Sequence, residues 1–594
     1  MKKLLICLLS VILFACQSEH DTKPLLIEAE SFEDKGGWSV DPQFVEQVGS
    51  PYLLAHGLGE PVENAKTTFH LEQPGNYHVW VRTIDWAPGN WDAPGQFKLI
   101  VNDNILDTVF GTGEGWNWQY GGEISIDKQK SKLELKDLTG FDGRCDAIYF
   151  SKEKILPPNS FKELAIWRKN KLKESLTPTK TKNFDLVIVG GGIAGCAAAI
   201  TAAEMGLNIA LIHDRPVLGG NASGEIRVHT LGITWYYDRI LKMLNTKHYP
   251  NGSPEALKDD IKRHQNIEKY KNISLFLNWR AYQTNTLDDS ITSVDAKHTS
   301  SGEQLRFTAP LYVDCTGDGW IGYWAGAEYM YGREDSAKYN EHWSKHGELW
   351  SPEKKDNRVM GSSVLWRSKR MDSACSFPDV PWAIEVAKTH SAINGEWYWE
   401  YISNDLHQIN DAEKIRDYML KAIYGSFYNA KQDSANANLK LEWVSYLLGK
   451  RESRRLVGDY IYTFADMKNM KEFNDSVVKE ERSVDIHYKQ NLIDSTKPDF
   501  YSEALYYEID HYYVPYRCLY SRNIRNLFMA GRCFSCSHIG LGGPRVMNTT
   551  GQMGGAVGYA ASLCHKYKVL PRDIYLSHIS ELKTLIVNSS KGKP

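Results

Sequence analysis

Phe184-Asp185-Leu186-Val187-Ile188-Val189-Gly190-Gly191-Gly192-Ile193-Ala194-Gly195-Cys196-Ala197-Ala198-Ala199-Ile200-Thr201-Ala202-Ala203-Glu204-Met205-Gly206-Leu207-Asn208-Ile209-Ala210-Leu211-Ile212 is the stretch on which the fold turns. An apolar run, a glycine turn, a helix of small residues and a second apolar run make a β-α-β unit. A G-x-G-x-x-G in that frame is a dinucleotide fingerprint. Gly190 permits the tight turn, Gly192 lets a pyrophosphate approach the main chain, and Gly195 lets helix and strand pack closely. Ile193 and Ala194 then open a helix whose N-terminal amides face phosphate charge. The ribose hydroxyls call for an acidic residue where the second strand ends. That register holds His213 and then Asp214, so either His213 makes the contact or Asp214 does after a one-residue adjustment.

Further along, Arg215-Pro216-Val217-Leu218-Gly219-Gly220-Asn221 supplies a second glycine pair. It resembles the flavoprotein loop that runs past the pyrophosphate toward the isoalloxazine, which nominates Arg215, Gly219, Gly220 and Asn221. Leu311-Tyr312-Val313-Asp314-Cys315-Thr316-Gly317-Asp318-Gly319 resembles the strand and turn that close over the adenosine half, with Thr316, Gly317 and Asp318 as contacts. Asn526-Leu527-Phe528-Met529-Ala530-Gly531-Arg532 resembles the C-terminal strand reaching the ribityl chain, through Gly531 and Arg532. The helix beginning near Met547, with Thr550, Gly551 and Gln552, would aim its positive end at the flavin and stabilise negative charge on the reduced ring. With Gly449-Lys450-Arg451-Glu452-Ser453-Arg454-Arg455, these segments resemble the bacterial FAD-dependent oxidoreductase family often found with polysaccharide-degrading enzymes, some of whose members are labelled xanthan lyase. The resemblance runs from Asp185 to about Lys566 and implies FAD as cofactor and a carbohydrate as substrate.

Oxidation of a C–H bond by flavin needs hydride transfer and a base for the proton. His538, just before the flavin-facing helix, suits a base by its intrinsic pKa, or caps its loop or touches the cofactor instead. Arg545 offers a fork of donors to substrate or flavin carbonyl. Glu225, with Arg227 and His229, lines the opposite side. Arg454 and Arg455 beside Glu452 either reach the site from the substrate region or form structural ion pairs.

The implied fold class is an α/β Rossmann-like FAD-binding domain (184–320 and 505–570). It carries an inserted, mostly helical substrate or cap region (321–504) and is preceded by an all-β sandwich of jelly-roll type (25–150). In the cap, Trp397-Tyr398-Trp399 and Leu441-Glu442-Trp443-Val444-Ser445-Tyr446-Leu447-Leu448 offer aromatic faces to sugar rings. The first module alternates in short strands and places Trp86, Trp91, Trp116 and Trp118 in or beside glycine-rich loops. Ile27-Glu28-Ala29-Glu30 and Gly140-Phe141-Asp142-Gly143-Arg144-Cys145-Asp146 resemble carbohydrate-binding modules. That likeness implies a structural calcium on Glu28, Glu30 and Asp146. The module then binds glycan or packs on its neighbour. Residues 151–183 read as a linker helix and linker whose Lys-rich run is a solvated face.

With 594 residues, 70 Lys plus Arg against 73 Asp plus Glu and a net charge of −3, the chain is long enough for several domains. It lacks the basic footprint of a nucleic-acid binder. Residues 1–16 form a short basic start and an apolar run, a secretory signal. Its ending Leu13-Phe14-Ala15-Cys16 resembles the lipobox of bacterial lipoproteins, which implies a lipoprotein signal with a lipid anchor on Cys16. The expected location is a periplasmic or cell-surface lipoprotein of a bacterial outer membrane. Cys533 and Cys536 read as a structural pair, disulfide-bonded or not, and no metal is expected there. The function expected is an exported FAD-dependent oxidoreductase that oxidises a carbohydrate hydroxyl carbon or reduces the corresponding keto-sugar, with an unidentified electron acceptor. The alternatives are a redox-neutral glycan lyase or hydrolase using transient flavin oxidation, and a non-catalytic glycan-binding surface protein.

Overall fold

Strand β1 (Leu186–Val189) is buried along its whole length, as the centre of a parallel sheet covered on both faces must be. It feeds helix α1 (Ile193–Glu204) and then β2 (Ile209–His213). Strands β3 (Ile273–Leu277), β4 (Leu311–Asp314) and β5 (Leu527–Met529) complete a five-stranded sheet in the order β3-β2-β1-β4-β5. Every neighbouring pair is parallel. Val189 pairs with both Ile212 and Asp314, so the carboxyl ends of the three central strands lie level and their loops open into one crevice. The computed structural model describes residues 24–175, 177–403 and 405–590. Residues 1–16, expected to be a lipoprotein signal ending at Cys16, lie outside the described residues.

Helix α2 (Met547–Tyr567) packs along α1 at very close range. A Cβ at Gly554 would overlap the Ala194 carbonyl, and one at Gly558 would strike Thr201. These glycines let the two backbones meet and set the N-terminus of α2 beside that of α1, at the crevice.

The inserted region departs from expectation. It is not mostly helical: one long helix, Ala412–Lys431, is accompanied by short antiparallel sheets that include Trp366–Arg370 with Leu439–Val444 and Val484–Lys489 with Ser502–Tyr507. Leu439, Leu441 and Val444 are buried in an extended segment, and the alternation Leu439-Lys440-Leu441-Glu442, buried and less buried in turn, is the period of two that a strand with one covered face requires. Residues 151–183 also do more than link. Phe161–Leu172 is a helix, but Lys180–Asn183 joins a four-stranded sheet beside Gln304–Thr308.

The first module is a sandwich of a six-stranded and a four-stranded sheet. Two of its three expected calcium ligands, Asp146 and Glu28, are already taken by guanidinium groups. Asp146, fully buried, receives Arg82 at 2.6 Å, Arg168, and the Ser50 hydroxyl at 2.5 Å. Glu28 pairs with Arg168 at 3.1 Å. Against the effect of burial, Arg168 and Arg82 hold the Asp146 carboxyl below the usual range. Burial, with Glu28 nearby, drives Glu30 well above it, toward a neutral acid that makes a poor ligand. Among the described residues no cluster of metal-ligating side chains forms, so the calcium expectation is corrected. Within its helix Arg168 is buried against the sandwich, while the lysines of the run stay exposed or half-exposed. Accordingly, neither added calcium nor EDTA is expected to move the thermal midpoint by more than about 1 °C, because the charges there are already compensated. Differential scanning calorimetry of the purified chain checks this.

The sandwich also packs on the inserted region. Arg144 reaches Glu413 at 2.9 Å and Asp417, while Arg416 reaches Asp41 at 2.7 Å and the Tyr52 hydroxyl at 3.0 Å. Trp86 packs edge-on against Trp382 at 5.0 Å and donates to the Phe141 carbonyl. Trp116 donates to Glu413 at 2.9 Å. Between binding glycan and packing on a neighbour, these indoles pack.

Candidate active site

The crevice at the carboxyl end of the sheet is floored by two glycine loops lying side by side. Gly192 bridges Gly219, and the Gly219 amide donates to the Gly191 carbonyl at 2.9 Å. Gly190 sits at φ +109°, where a Cβ would collide with the Cys315 carbonyl. Gly192 is different, because a Cβ built there meets nothing nearer than the Gly220 Cα at 3.9 Å and points into open space. Its backbone is exposed to a ligand, as pyrophosphate approach requires. Gly195 holds the helix close, since a Cβ there would overlap the Gly190 carbonyl. Arg263, which sequence reasoning missed, is buried beneath the second loop. It donates to the carbonyls of Leu218, Ala222 and Leu244 and pairs with Asp260 at 2.6 Å. A buried arginine in the middle of a polar helix carries no motif, so nothing in the sequence marked it.

Of the residues expected to bind the cofactor, the crevice brings together Gly190, Gly192, Ile193, Ala194, His213, Asp214, Arg215, Gly219, Gly220, Asn221, Thr316, Gly317, Asp318, Gly531, Arg532 and Thr550. Gly195 and Gly551 serve packing. A Cβ at Gly551 would press on Leu241. Gln552 is corrected: its side chain is committed to the backbone of Ile233 and Lys479. The crevice wall also includes Trp279, Arg280, Trp320, Trp324 and Lys450, with Gln43, Phe44 and Glu46 from the sandwich. Lys450 belongs to a segment already singled out. Trp320 and Trp324 lie on the helix that directly follows the Leu311–Gly319 segment, while Trp279, Arg280, Gln43, Phe44 and Glu46 come from positions far from any fingerprint and meet it only through tertiary packing.

His213 and Asp214 separate cleanly. The His213 ring accepts from the Gly191 amide at Nδ1 (3.1 Å) and donates from Nε2 to the Val217 carbonyl (3.0 Å). Burial, with Arg215 nearby, pulls its pKa down to about 4, so it is a neutral brace for the glycine turn. Asp214 keeps a part-exposed carboxylate on the crevice wall, 3.3 Å from Arg280. Of the two, Asp214 has the free acceptor that ribose hydroxyls need.

The remaining polar groups suit an anionic, polyoxygenated ligand. Arg532 lines the crevice with a buried Nη1 that has no acceptor. Burial lowers its pKa, with Asp318, at 3.8 Å, the main opposing charge. Asp318 itself is bound by Lys450 at 2.7 Å and Ser453 at 2.8 Å, and against burial these neighbours draw it down to about 2. A guanidinium short of acceptors, beside glycine amides and a helix N-terminus, fits the diphosphate of FAD.

The three residues expected to act in catalysis do not converge. Arg545 lines the crevice together with Met547 and Thr550 at the mouth of α2. Its Nη2 donates to His487 Nε2 at 3.0 Å and lies 3.2 Å from Asp485. The other His487 nitrogen donates to Glu400 at 2.6 Å. This histidine and its carboxylates went unnoticed in sequence because they lie about 60 and 150 residues from the flavin-facing helix. His538 is buried outside the crevice wall. Its Nδ1 meets Glu452 at 2.8 Å, and Glu452 pairs with Arg455, which reaches Glu334 at 2.7 Å. His538 Nε2 is buried without a partner. Glu225 lies apart from both, 3.1 Å from Arg215 under the sandwich, with burial pushing its pKa up to about 7. It is corrected as a partner of Arg545. Arg454 stacks over Trp320 at 4.4 Å and Tyr323 at 3.9 Å, and Arg227 over Trp443 at 4.2 Å. Cys533 and Cys536 are separate buried thiols, not a disulfide.

A family model described as FAD dependent oxidoreductase matches residues 185–585. Over 100 residues the chain is 32% identical to a fumarate reductase (cytochrome) of Shewanella frigidimarina, a stretch covering 17% of this chain and 16% of that protein. The chain therefore matches about a sixth of the length of that curated relative. Among solved structures, a geranylgeranyl bacteriochlorophyll reductase-like protein of Thermoplasma acidophilum is 11% identical, with 68% of this chain and 83% of that one covered and a TM-score of 0.32. A family 35 carbohydrate-binding module of Clostridium thermocellum is 15% identical, with 22% of this chain and 99% of that one covered and a TM-score of 0.19.

Proposed function

The chain belongs to the FAD dependent oxidoreductase family, and from this premise we propose that it moves hydride between the flavin and a hydroxyl-bearing carbon of a carbohydrate, or reduces the corresponding keto-sugar. Bound FAD supplies the hydride acceptor or donor. The observation that carries the reading is Arg545, which faces the same crevice as the glycine turn and is held there by Asp485 and His487. Its donors would bind an oxygen of the substrate and stabilise charge that develops on it.

A carbohydrate is supported by the side chains around this arginine's partner: Trp397 packs edge-on against His487 at 5.3 Å, and His487 in turn donates to Glu400 at 2.6 Å. Aromatic faces mixed with hydrogen-bonding side chains suit a ring of hydroxyls. The leader sequence supports export and a lipid anchor through Cys16, and the physiological electron acceptor would then be a partner outside the cytoplasm. Among the described residues no helix is long and apolar enough to cross a membrane.

The test is anaerobic mixing of the purified holoenzyme with a panel of oligosaccharides while the flavin absorbance is followed. Stoichiometric bleaching by one class of glycan is expected. Turnover of a glycan with the flavin left oxidised would replace this reading with a redox-neutral elimination. Arg545→Ala is expected to lower kcat/KM for the responsive glycan by about 100-fold, the usual cost of losing a charged donor at a reacting oxygen. Steady-state kinetics, normalised to flavin content, give the value.

A further inference from the structure

We propose that the N-terminal β-sandwich is a wall of the cofactor site: it closes over the adenosine half of FAD, and Glu46 is the positioning residue through which it does so. The proposal rests on reading the crevice as the FAD site.

Three residues of one short sandwich segment, Gln43, Phe44 and Glu46, line the crevice. Glu46 grips Arg280 with both carboxylate oxygens, at 2.6 and 2.7 Å. The opposite nitrogen of Arg280 lies 3.3 Å from Asp214. A continuous chain of charge thus runs from the sandwich to the carboxylate at the end of β2, the position where ribose hydroxyls are taken. Held by Glu46, it fixes the Asp214 carboxylate on the crevice wall.

The segment is itself fixed. The Gln43 side chain accepts from the Leu448 amide at 3.0 Å and donates to the Tyr446 carbonyl at 3.0 Å, which ties it to the strip of the inserted region that also borders the crevice. The Phe44 ring packs against the Arg416 guanidinium at 4.8 Å and is 1% exposed. Meanwhile the indoles that would offer this module a glycan face, Trp86 and Trp116, are spent on the inserted region. A module with its stacking surface covered and one segment built into a cofactor crevice acts as part of that crevice.

FAD and FMN separate this role from a general structural one, because FMN lacks the adenosine. Apo forms of the full chain and of Glu46→Ala, Glu46→Gln, Phe44→Ala and the remote sandwich variant Glu123→Ala are titrated with each flavin by fluorescence quenching. The Kd for FAD is expected to rise about tenfold in Glu46→Ala and Phe44→Ala and to stay near wild type in Glu123→Ala. Glu46→Gln, which still accepts from Arg280, is expected to fall between. FMN affinity should be the same in every variant. Unchanged FAD affinity in Glu46→Ala and Phe44→Ala, or equal weakening of FAD and FMN, overturns the proposal while leaving the crevice assigned to FAD. A wild-type chain that takes up no FAD removes that assignment itself and the proposal with it.

Discussion

Gly192→Val is expected to give a correctly folded protein that purifies colourless and binds FAD at least 100-fold more weakly than the wild type. The expectation follows from what surrounds the glycine. Its φ of −69° is open to any residue, and a Cβ at this position meets only Gly220, at 3.9 Å, so the fold itself does not oppose a side chain. The two methyl groups of valine would instead fill the space above the loop where the diphosphate must lie against the main chain. Excluding the phosphate removes its contacts with the amides of the helix N-terminus and with Arg532 together, and a hundredfold loss corresponds to about 2.8 kcal/mol. Gly195→Val makes a sharp comparison. Its Cβ would overlap the Gly190 carbonyl, so that variant should fail in folding rather than in binding. Circular dichroism and thermal melting separate the two, and flavin absorbance of the purified proteins gives the binding result. A Gly192→Val protein carrying FAD at full stoichiometry would refute the assignment of the loop.

What the sequence disclosed, and what it withheld, follows from how far each interaction reaches along the chain. The glycine turn, its strands and its helix are local: each residue's demand is set by neighbours a few positions away, and so the pattern survives in one dimension. The same holds for the short runs around Thr316, Gly531 and Met547, which carry the geometry of a strand end or a helix start. His213 shows the limit. Its position in the register suggested the ribose, yet both ring nitrogens are used on backbone groups of the adjoining loops, and only the fold reveals that Asp214 is the one whose carboxylate stands part-exposed on the crevice wall. Arg263, Arg280 and His487 were invisible because each works through partners that approach from distant segments. The inserted region misled for a different reason. Its apolar spacing is compatible with a buried helix or with short buried strands, and periodicity alone cannot decide between them. Calcium failed because acidic residues on the first and last strands look alike whether they hold a cation or an arginine, and Arg168 arrives from a helix outside the sandwich.

Arg416→Ala is expected to leave a folded chain that is less stable by about 3–5 kcal/mol. Arg416 is fully buried between the sandwich and the helix Ala412–Lys431, where it reaches Asp41 at 2.7 Å, Asp417 at 3.1 Å and the Tyr52 hydroxyl at 3.0 Å. Asp417 keeps Arg144 when Arg416 is lost, but Asp41, with no exposure of its own, loses the cation that pairs with it. A buried carboxylate stripped of its partner is the costly state, whereas removal of both charges is much less so. The double variant Arg416→Met with Asp41→Asn is therefore expected to recover most of the loss, since the Asn oxygen can still accept from the Gln43 amide that Asp41 now holds at 3.0 Å. Urea unfolding of the wild type, Arg416→Met, Asp41→Asn and the double variant would give the coupling directly. The consequence reaches the cofactor as well. Asp41 orients Gln43, and Gln43 and Phe44 belong to the crevice wall, so Arg416→Ala should release FAD more readily than an equally destabilising substitution in the sandwich core, such as Val79→Ala. If the two variants lose FAD alike at matched stability, the interface holds the domains together without shaping the site. If Arg416→Ala loses it first, the buried charges at the domain boundary are part of how this chain keeps its flavin.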